Sequence, residues 1–488
     1  MNPRKFLVFA VFAAFLSLTS CSGVNNHCTT NCNVSGDASL NLTLAGVPFV
    51  PPPSTSILSF VVTISSVSLT PSAGGSDVNI PLNSSTFTVD LTRLQSDSVF
   101  LGQAISSIPT GSYNQIKLGI TSSVVTFCAA TSGTLGCNTG SVAQITTGPA
   151  TPTTSGFTLT LASNEQAGVR ILINMGPALT VNSGTQGVTG VTLTAANVMS
   201  AITLPPASST LSAGQLDYLE DVTGVVTAAS SSAVTVQTAT RGSITSVVTS
   251  STIGSPNCVI QNQPCKATVG QIASLDAVLH SDGTSSLLEF DPLSSTSPDV
   301  IEGIVTTSST SPTQFQVVTN ELVKASSGSL IGSLNLGDPV NVTLVGGVSP
   351  FVVDTKGLPA VNSPFVGSTS ATDILPGQTV ALRVTGFTAK AGATPASAQA
   401  DFVVLRFTRV AGNVSTPPSP NFNIQSLPGF FGQTSAVQVQ MSAGSPSTYL
   451  DGYSSTGAIT TNDNVAIRAL YFGKTSVPAF NAAKVRKN

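Results

Sequence analysis

Along most of this chain, hydrophobic residues alternate with Ser, Thr and Asn at a spacing of two. Ala38–Ala45 puts Leu40, Leu42 and Leu44 on one face, the period of a half-buried strand. Ile57–Leu69 is a longer apolar run whose β-branched residues favour strand over helix. Asp77–Leu82, Thr86–Leu91, Tyr113–Ile120, Val124–Cys128, Phe157–Leu161, Val169–Met175 and Val188–Ile202 follow, parted by Gly, Pro, Ser and Asn. From Tyr113 to Ile120 strict alternation predicts a polar face of Tyr113, Gln115, Lys117 and Gly119 opposite an apolar one. Tyr113 reads as a packed ring with its hydroxyl at the rim rather than a ligand platform. Arg170 reads as a cover for its apolar neighbours rather than an anion grip.

A Pro/Ser-rich stretch, Leu204–Gly214, marks a linker. Past it the pattern repeats. Val222–Thr227, Ile301–Thr306 and Val410–Ser415 each resemble a V-x-G-x-V strand, followed by Ala233–Gln237, Phe315–Val318 and Asn421–Ile424. Within each unit a later strand sits near a Gly or Asn turn, at Gly270–Leu279, Gly337–Leu344 and Asn464–Tyr471, and Ile374–Phe387 with Phe402–Phe407 enlarges the second. Self-similarity on this scale predicts small β modules in tandem. The expected fold is therefore all-β, an N-terminal β-sandwich followed by tandem small β-barrel or sandwich modules.

The N-terminus departs from this texture. Arg4 and Lys5 precede an apolar run from Phe6 to Leu18, the layout of a secretory signal peptide and shorter than the roughly 20 residues a spanning helix needs. Leu18-Thr19-Ser20-Cys21 resembles the lipobox of bacterial lipoproteins, which implies lipid attachment at Cys21. Ser22, in place of Asp, resembles the default outer-membrane sorting signal.

Phe87–Leu94, Phe100-Leu101-Gly102 and Ile108–Leu118 together resemble the DUF4382 family, an exported bacterial domain with a VDL strand and an LP-x-G-x-Y-x-x-I-R-L strand. Lys117 stands where that family often has Arg. The resemblance covers about 37–202 and implies a β-sandwich, with no catalytic residues to carry over. The repeats that follow resemble small barrels of the DUF5666 type, at few positions per unit.

Composition narrows the function. Charged residues make up 8% of the chain, against about 25% in typical domains. A net charge of −3 with scattered Lys and Arg argues against nucleic acid. The seven cysteines divide into Cys21 and three near pairs, Cys28/Cys32, Cys128/Cys137 and Cys258/Cys265, which read as local disulfides in an oxidising compartment. Their spacings are unlike zinc sites, and His27 and His280 are the only histidines to help. His280-Ser281-Asp282-Gly283 reads as a hairpin turn rather than a triad fragment. Glu220/Asp221 and Glu289/Asp291 are the nearest carboxylate pairs a glycosidase could use. The first reads as solvated and the second as ending a strand before Pro292. Asn462-Asp463-Asn464 reads as a polar turn, and Ala482–Asn488 as a solvated basic tail.

The expected organisation is a lipoprotein signal peptide at 1–20, a tether at 21–36, the sandwich at 37–204, a linker at 205–217, and β modules at 218–298, 299–409 and 410–488. No catalytic, metal or cofactor site is expected. The expected role is a non-catalytic cell-envelope lipoprotein with a structural, adhesive or ligand-binding function. Its membrane contact runs through the N-terminal lipid, and its partners are envelope glycans or proteins. A carbohydrate-binding accessory protein is the alternative, and a glycan hydrolase comes third.

Overall fold

A run that leaves one apolar face must bury that face against a second layer, and the N-terminal part of the chain does so with two sheets. The computed structural model describes residues 36–52, 55–129, 136–137, 141–182, 187–204, 215–254, 267–280, 282–294, 298–307, 311–325, 327–359, 363–418, 420–432, 435–444, 447–473 and 479–488. The N-terminal strands are β1 (Ala38–Gly46), β2 (Ser56–Pro71), β3 (Val78–Ile80), β4 (Phe87–Asp90), β5 (Ser98–Ile108) and β6 (Gly111–Cys128). After them come β7 (Val142–Thr147), β8 (Leu159–Leu161), β9 (Gln166–Ile173), β10 (Leu179–Asn182), β11 (Gly187–Val191) and β12 (Met199–Leu204). One sheet runs β12-β9-β1-β5. The other runs β3-β2-β6-β7, with β4 on β2 and β8 on β6. Leu40, Leu42 and Leu44 meet Phe60, Val62, Ile116 and Leu118 between the layers.

Several details differ from the pattern. Tyr113–Ile120 and Val124–Cys128 form one continuous strand, β6, because β2 supplies a partner along its length. Ser98–Ile108 is a strand that the alternation did not signal, and Val188–Ile202 splits into β11 and β12. Tyr113 leaves the polar face. A register shift beside it, between Thr70 and Pro71 of β2, turns the ring into the core, where its hydroxyl donates to the Pro109 carbonyl at 2.6 Å.

The first barrel uses β13 (Gln215–Ala229), β14 (Ala233–Gln237), β15 (Ser243–Gly254), β16 (Ile272–His280) and β17 (Ser285–Ser294). The second uses β18 (Asp299–Val305), β19 (Gln314–Val323), β20 (Pro339–Leu344), a short flanking β21 (Val352–Val353), β22 (Thr379–Thr388) and β23 (Ala396–Arg406). The third uses β24 (Thr408–Thr416), β25 (Phe422–Gln425), β26 (Val437–Met441), a flanking β27 (Tyr449–Asp451), β28 (Asn464–Tyr471) and β29 (Phe480–Lys487). All three close in the same order. The first five main strands pair 1-2-3-5-4 and back to 1, with the third and fifth parallel. This is an OB-like five-stranded Greek-key barrel, three times over.

The barrels number their strands differently from the sequence repeat. Gly270–Leu279 and Asn464–Tyr471 are fourth strands, but Gly337–Leu344 holds the third strand of its barrel. The residues read as an enlargement, Ile374–Phe387 and Phe402–Phe407, carry parts of the fourth and fifth strands. A similar alternation of apolar and polar residues runs through many of these strands, so it does not number them. The C-terminal residues are not a solvated tail: β29 closes the third barrel, with Lys484 and Arg486 buried. The stretch read as a linker lies mostly outside the described residues, and β13 begins within it, at Gln215.

The glycine of each first strand has a packing reason. A Cβ at Gly303 would lie 2.6 Å from the Val318 carbonyl oxygen, one at Gly412 2.9 Å from that of Gln425, and one at Gly224 would collide with that of Gln237. The paired first two strands approach too closely there for a side chain. Gly303→Ala is expected to cost about 1–3 kcal/mol, the range for overpacking. Urea unfolding should show a lower midpoint, and an unchanged midpoint would mean that barrel closure does not need the close approach.

Candidate functional site

A chain this poor in charge would be expected to keep its charges in water, yet nearly half of them are buried among the described residues. Most of these converge where the sandwich and the three barrels meet. Asp221, 1% exposed, stands at the centre. A register shift in β13 between Leu219 and Val222 creates a bulge, with Asp221 at φ 49° and its N–H donating to Asp276 Oδ1 at 2.7 Å. The bulge turns the carboxylate toward four cations. Lys356 Nζ lies at 2.8 Å and Arg406 Nη2 at 3.2 Å, both from the second barrel and its boundary. Arg468 Nη2 lies at 2.9 Å and Arg409 Nη2 also donates, both from the third barrel. Burial alone would raise the Asp221 pKa, but Arg468, Lys356, Arg406 and Arg409 outweigh it and hold the carboxyl well below the usual range.

The network continues outward on both sides. Arg409 Nε donates to Asp97 of the sandwich at 2.8 Å, and Arg93 of the sandwich pairs with Glu302 at 3.2 Å and Glu321 at 3.4 Å. Lys484 of β29 reaches Glu220 at 3.0 Å. Arg486 donates to the Leu94 and Asp97 carbonyls at 2.9 and 2.8 Å. Arg170, read as a cover for apolar residues, forms a two-point pair with Asp217 instead, Nε–Oδ2 3.0 Å and Nη2–Oδ1 2.8 Å. No apolar cover could satisfy a guanidinium at that depth.

The shared strand order explains how opposite charges find one another. Counting from the first-strand glycine, Asp221 and Arg409 hold the same place in the first and third barrels. The ladders align Gly224 with Ala273, Gly303 with Val380 and Gly412 with Val465. That makes Asp276, Arg383 and Arg468 equivalent on the fourth strands, and a register shift follows each of them. Opposite them on the fifth strands stand Glu289, Phe402 and Lys484, then Asp291, Val404 and Arg486 two residues on. The outer face of strands 1, 4 and 5 is thus acidic on the first barrel and basic on the third, and the two pack together. Tyr218 and Tyr449 pack beside the charges with ring centroids 4.2 Å apart and planes tilted by 53°.

The carboxylates read from the sequence as candidates fall inside this junction. Glu220 and Asp221 are buried, not solvated, because their strand faces another barrel rather than water. Glu289 and Asp291 lie within β17 beside Lys356, whose Nζ is 3.4 Å from Asp291. Burial raises Glu289 to about 8; Lys356 opposes the shift, and Asp291, Asp276 and Asp354 add to it. Burial likewise raises Asp291 to about 6 and Glu220 to about 7, against Lys356 and Lys484 respectively. At 2% exposure, Asp291 gives no access to a sugar ring.

The remaining candidates are turns and a disulfide. Asp282 caps the β16–β17 hairpin by accepting from Thr284 N at 2.9 Å, and His280 Nε2 contacts Ser286 Oγ at 2.8 Å. Asp463 accepts from Thr460 N and from the Tyr453 hydroxyl, at 2.8 and 2.9 Å. Cys128 and Cys137 are bonded. Cys137 N donates to Thr306 O at 2.6 Å and Gly136 N to Phe430 O at 2.7 Å, so this loop pins the sandwich to the second and third barrels. Cys21, Cys28, Cys32, Cys258, Cys265 and His27 lie outside the described residues. Among the described residues no group of three or more His, Cys, Asp and Glu could hold a metal ion, and no helix is long and apolar enough to cross a membrane.

The chain is therefore a tandem all-β protein, a sandwich and three barrels joined through one charged junction. Residues 36–199, the sandwich and about a third of the chain, match the family model described as a domain of unknown function, DUF4382. A search of curated proteins finds no match to the chain.

The sequence signal for the junction lay in the repeats. Aligned, Ala273-Ser274-Leu275-Asp276, Val380-Ala381-Leu382-Arg383 and Val465-Ala466-Ile467-Arg468 show charge changing sign at one position. Asp221→Asn should lower stability by about 3–5 kcal/mol in denaturant unfolding, because it leaves buried cations uncompensated. Asp77→Asn, at the half-exposed Lys117 pair, should be far milder; equal effects would deny Asp221 its central place. Glu289 is held protonated in the fold, so its contribution to stability is lost as pH rises from its ordinary 4.5 through about 8. Glu289→Gln should flatten the fall in Tm over that window and raise Tm at the alkaline end. A variant with the wild-type slope would place the titration elsewhere.

Proposed function

We propose that this chain is a non-catalytic lipoprotein of the cell envelope, tethered through an acylated Cys21 and sorted to the outer membrane. Its role is to hold a rigid β body at the envelope for structural or adhesive binding. The observation that carries this reading is the junction. The carboxylates, guanidiniums and ammoniums that catalysis would need are engaged with one another where four β domains meet, and bracing domains is what such a network does. Much of the exposed surface is Ser, Thr, Asn and Gln, which suit contact rather than chemistry. The Cys128–Cys137 bond supports an oxidising compartment.

A carbohydrate-binding accessory role is the second reading, supported by the OB-like strand order of the barrels, which elsewhere serves oligosaccharides and oligonucleotides. Intact-mass analysis of the membrane fraction tests the anchor: a species beginning at an acylated Cys21, lost in Cys21→Ala, is expected. An unacylated protein in that fraction would overturn it. A glycan array separates the two binding roles, since a structural protein stays silent there and selective signals would favour the second.

A further inference from the structure

Among the described residues two lysines are buried, both in the junction, and their surroundings differ. Lys356 Nζ is shared among Asp221, Asp276 and Asp291 at 2.8, 3.0 and 3.4 Å. Its nearest partner, Asp221, is held ionised by the cations around it, and an ionised carboxylate resists attack by an amine. Lys484 instead donates to Glu220 Oε2 at 3.0 Å and lies 3.5 Å from Asp451 Oδ2. Arg486 Nε at 2.7 Å and Arg170 Nη1 at 3.6 Å also hold Asp451, which keeps its charge. Glu220 is in the opposite state. Burial pushes it up to about 7, with Lys484 opposing and Asp97 adding, so near neutral pH much of it is the uncharged acid. The Tyr449 ring centroid lies 5.3 Å from Lys484 Nζ, and Tyr218 packs on Tyr449, so aromatic rings wall the pair. A cavity of about 10 Å³, lined by Glu220, Asp97, Arg93 and Arg241 among others, has room for one water.

We propose that Lys484 and Glu220 condense into an intramolecular amide, a covalent cross-link between β29 of the third barrel and β13 of the first. A buried ammonium–carboxylate pair can pass one proton along its hydrogen bond and become amine and carboxylic acid, the form that burial favours. The Nζ lone pair then adds to Glu220 Cδ, forming the N–C bond and a tetrahedral intermediate. Asp451 accepts a proton from Nζ and returns it to a Glu220 oxygen, whose C–O bond breaks. One water leaves, no electrons are exchanged, and Asp451 ends as it began. The polar cavity beside Glu220 can take the released water. In solution an amine and an acid meet rarely and mostly as ions; here the fold holds them at bonding approach, which supplies the positional part of the barrier. The bond spans 264 residues of sequence and fixes the first barrel on the third whatever the charge state of the rest of the junction.

Protease mapping of the full folded chain by mass spectrometry, after its disulfides are reduced, tests this. A branched peptide joining Glu220 to Lys484, lighter than its two parts by one water, is expected. Lys484→Arg keeps the positive charge and removes the amine nucleophile, so the branch should vanish while circular dichroism is retained. On a reducing, denaturing gel the parent should then run ahead of that variant. Asp451→Asn should cut the fraction linked at a fixed time after cell-free synthesis at least about tenfold, a conservative share of what a positioned proton acceptor contributes. Separate unbranched peptides carrying Glu220 and Lys484 overturn the proposal whether or not the variants fold, and leave the pair an ion pair only. A water loss mapped to another pair, Lys356 with Asp291 included, overturns it as well. A linked fraction unchanged in Asp451→Asn overturns the proton path through that residue.

Discussion

The carboxylate of Asp221 is the constraint on which the rest of the molecule depends. It lies on the first barrel and meets Lys356, Arg406, Arg409 and Arg468, which come from the other two barrels and the boundary between them. A carboxylate taken out of water is costly unless cations and hydrogen bonds replace its hydration. Here the replacements come from other domains, so each domain's arrangement is tied to the charge state of the others. Such a network adds little net stability over an apolar interface, but it penalises misdocking heavily, because any displaced barrel leaves a buried charge unpaired. Its value is in fixing geometry.

The backbone was shaped to make that possible. A bulge in β13 and a left-handed φ at Asp221 aim the side chain, and Asp is among the residues that tolerate that conformation. Matching register shifts after Asp276, Arg383 and Arg468 keep the outer faces of the three barrels in one geometry. One repeat therefore yields an acidic face on the first barrel and a basic face on the third by exchanging side chains at fixed positions. The close approach at Gly224, Gly303 and Gly412 is the part that does not vary, because the paired first two strands run too close there for a side chain in every barrel.

The balance of charges is not uniform across the junction. Around Asp221 the cations prevail and ionisation is favoured. Around Glu289 and Asp291, with Lys356 shared among several carboxylates, burial prevails and the acids hold their protons toward neutral pH. Two patches of one network thus respond to pH in opposite senses. The Asp221 side loses stability as pH falls through its lowered pKa, and the Glu289 side loses it as pH rises through about 8.

By itself the sequence determined many of the strands and the class. Period-two alternation is written locally, so Leu40, Leu42 and Leu44, the V-x-G-x-V runs and the Asp282-Gly283 turn could be read without a partner in view. The sandwich was legible as well, from the residues around Phe87–Leu94 and Ile108–Leu118. What only the tertiary structure decided was which strand is third and which fourth in each barrel, whether the last residues are a tail or a closing strand, and where the charges go. Glu220, Asp221, Lys484 and Arg486 look solvated in the sequence because a charged residue in an alternating run faces away from its own core. That outward face becomes an interior when another barrel packs on it, and a pattern with a reach of a few residues carries no record of a partner more than two hundred residues away.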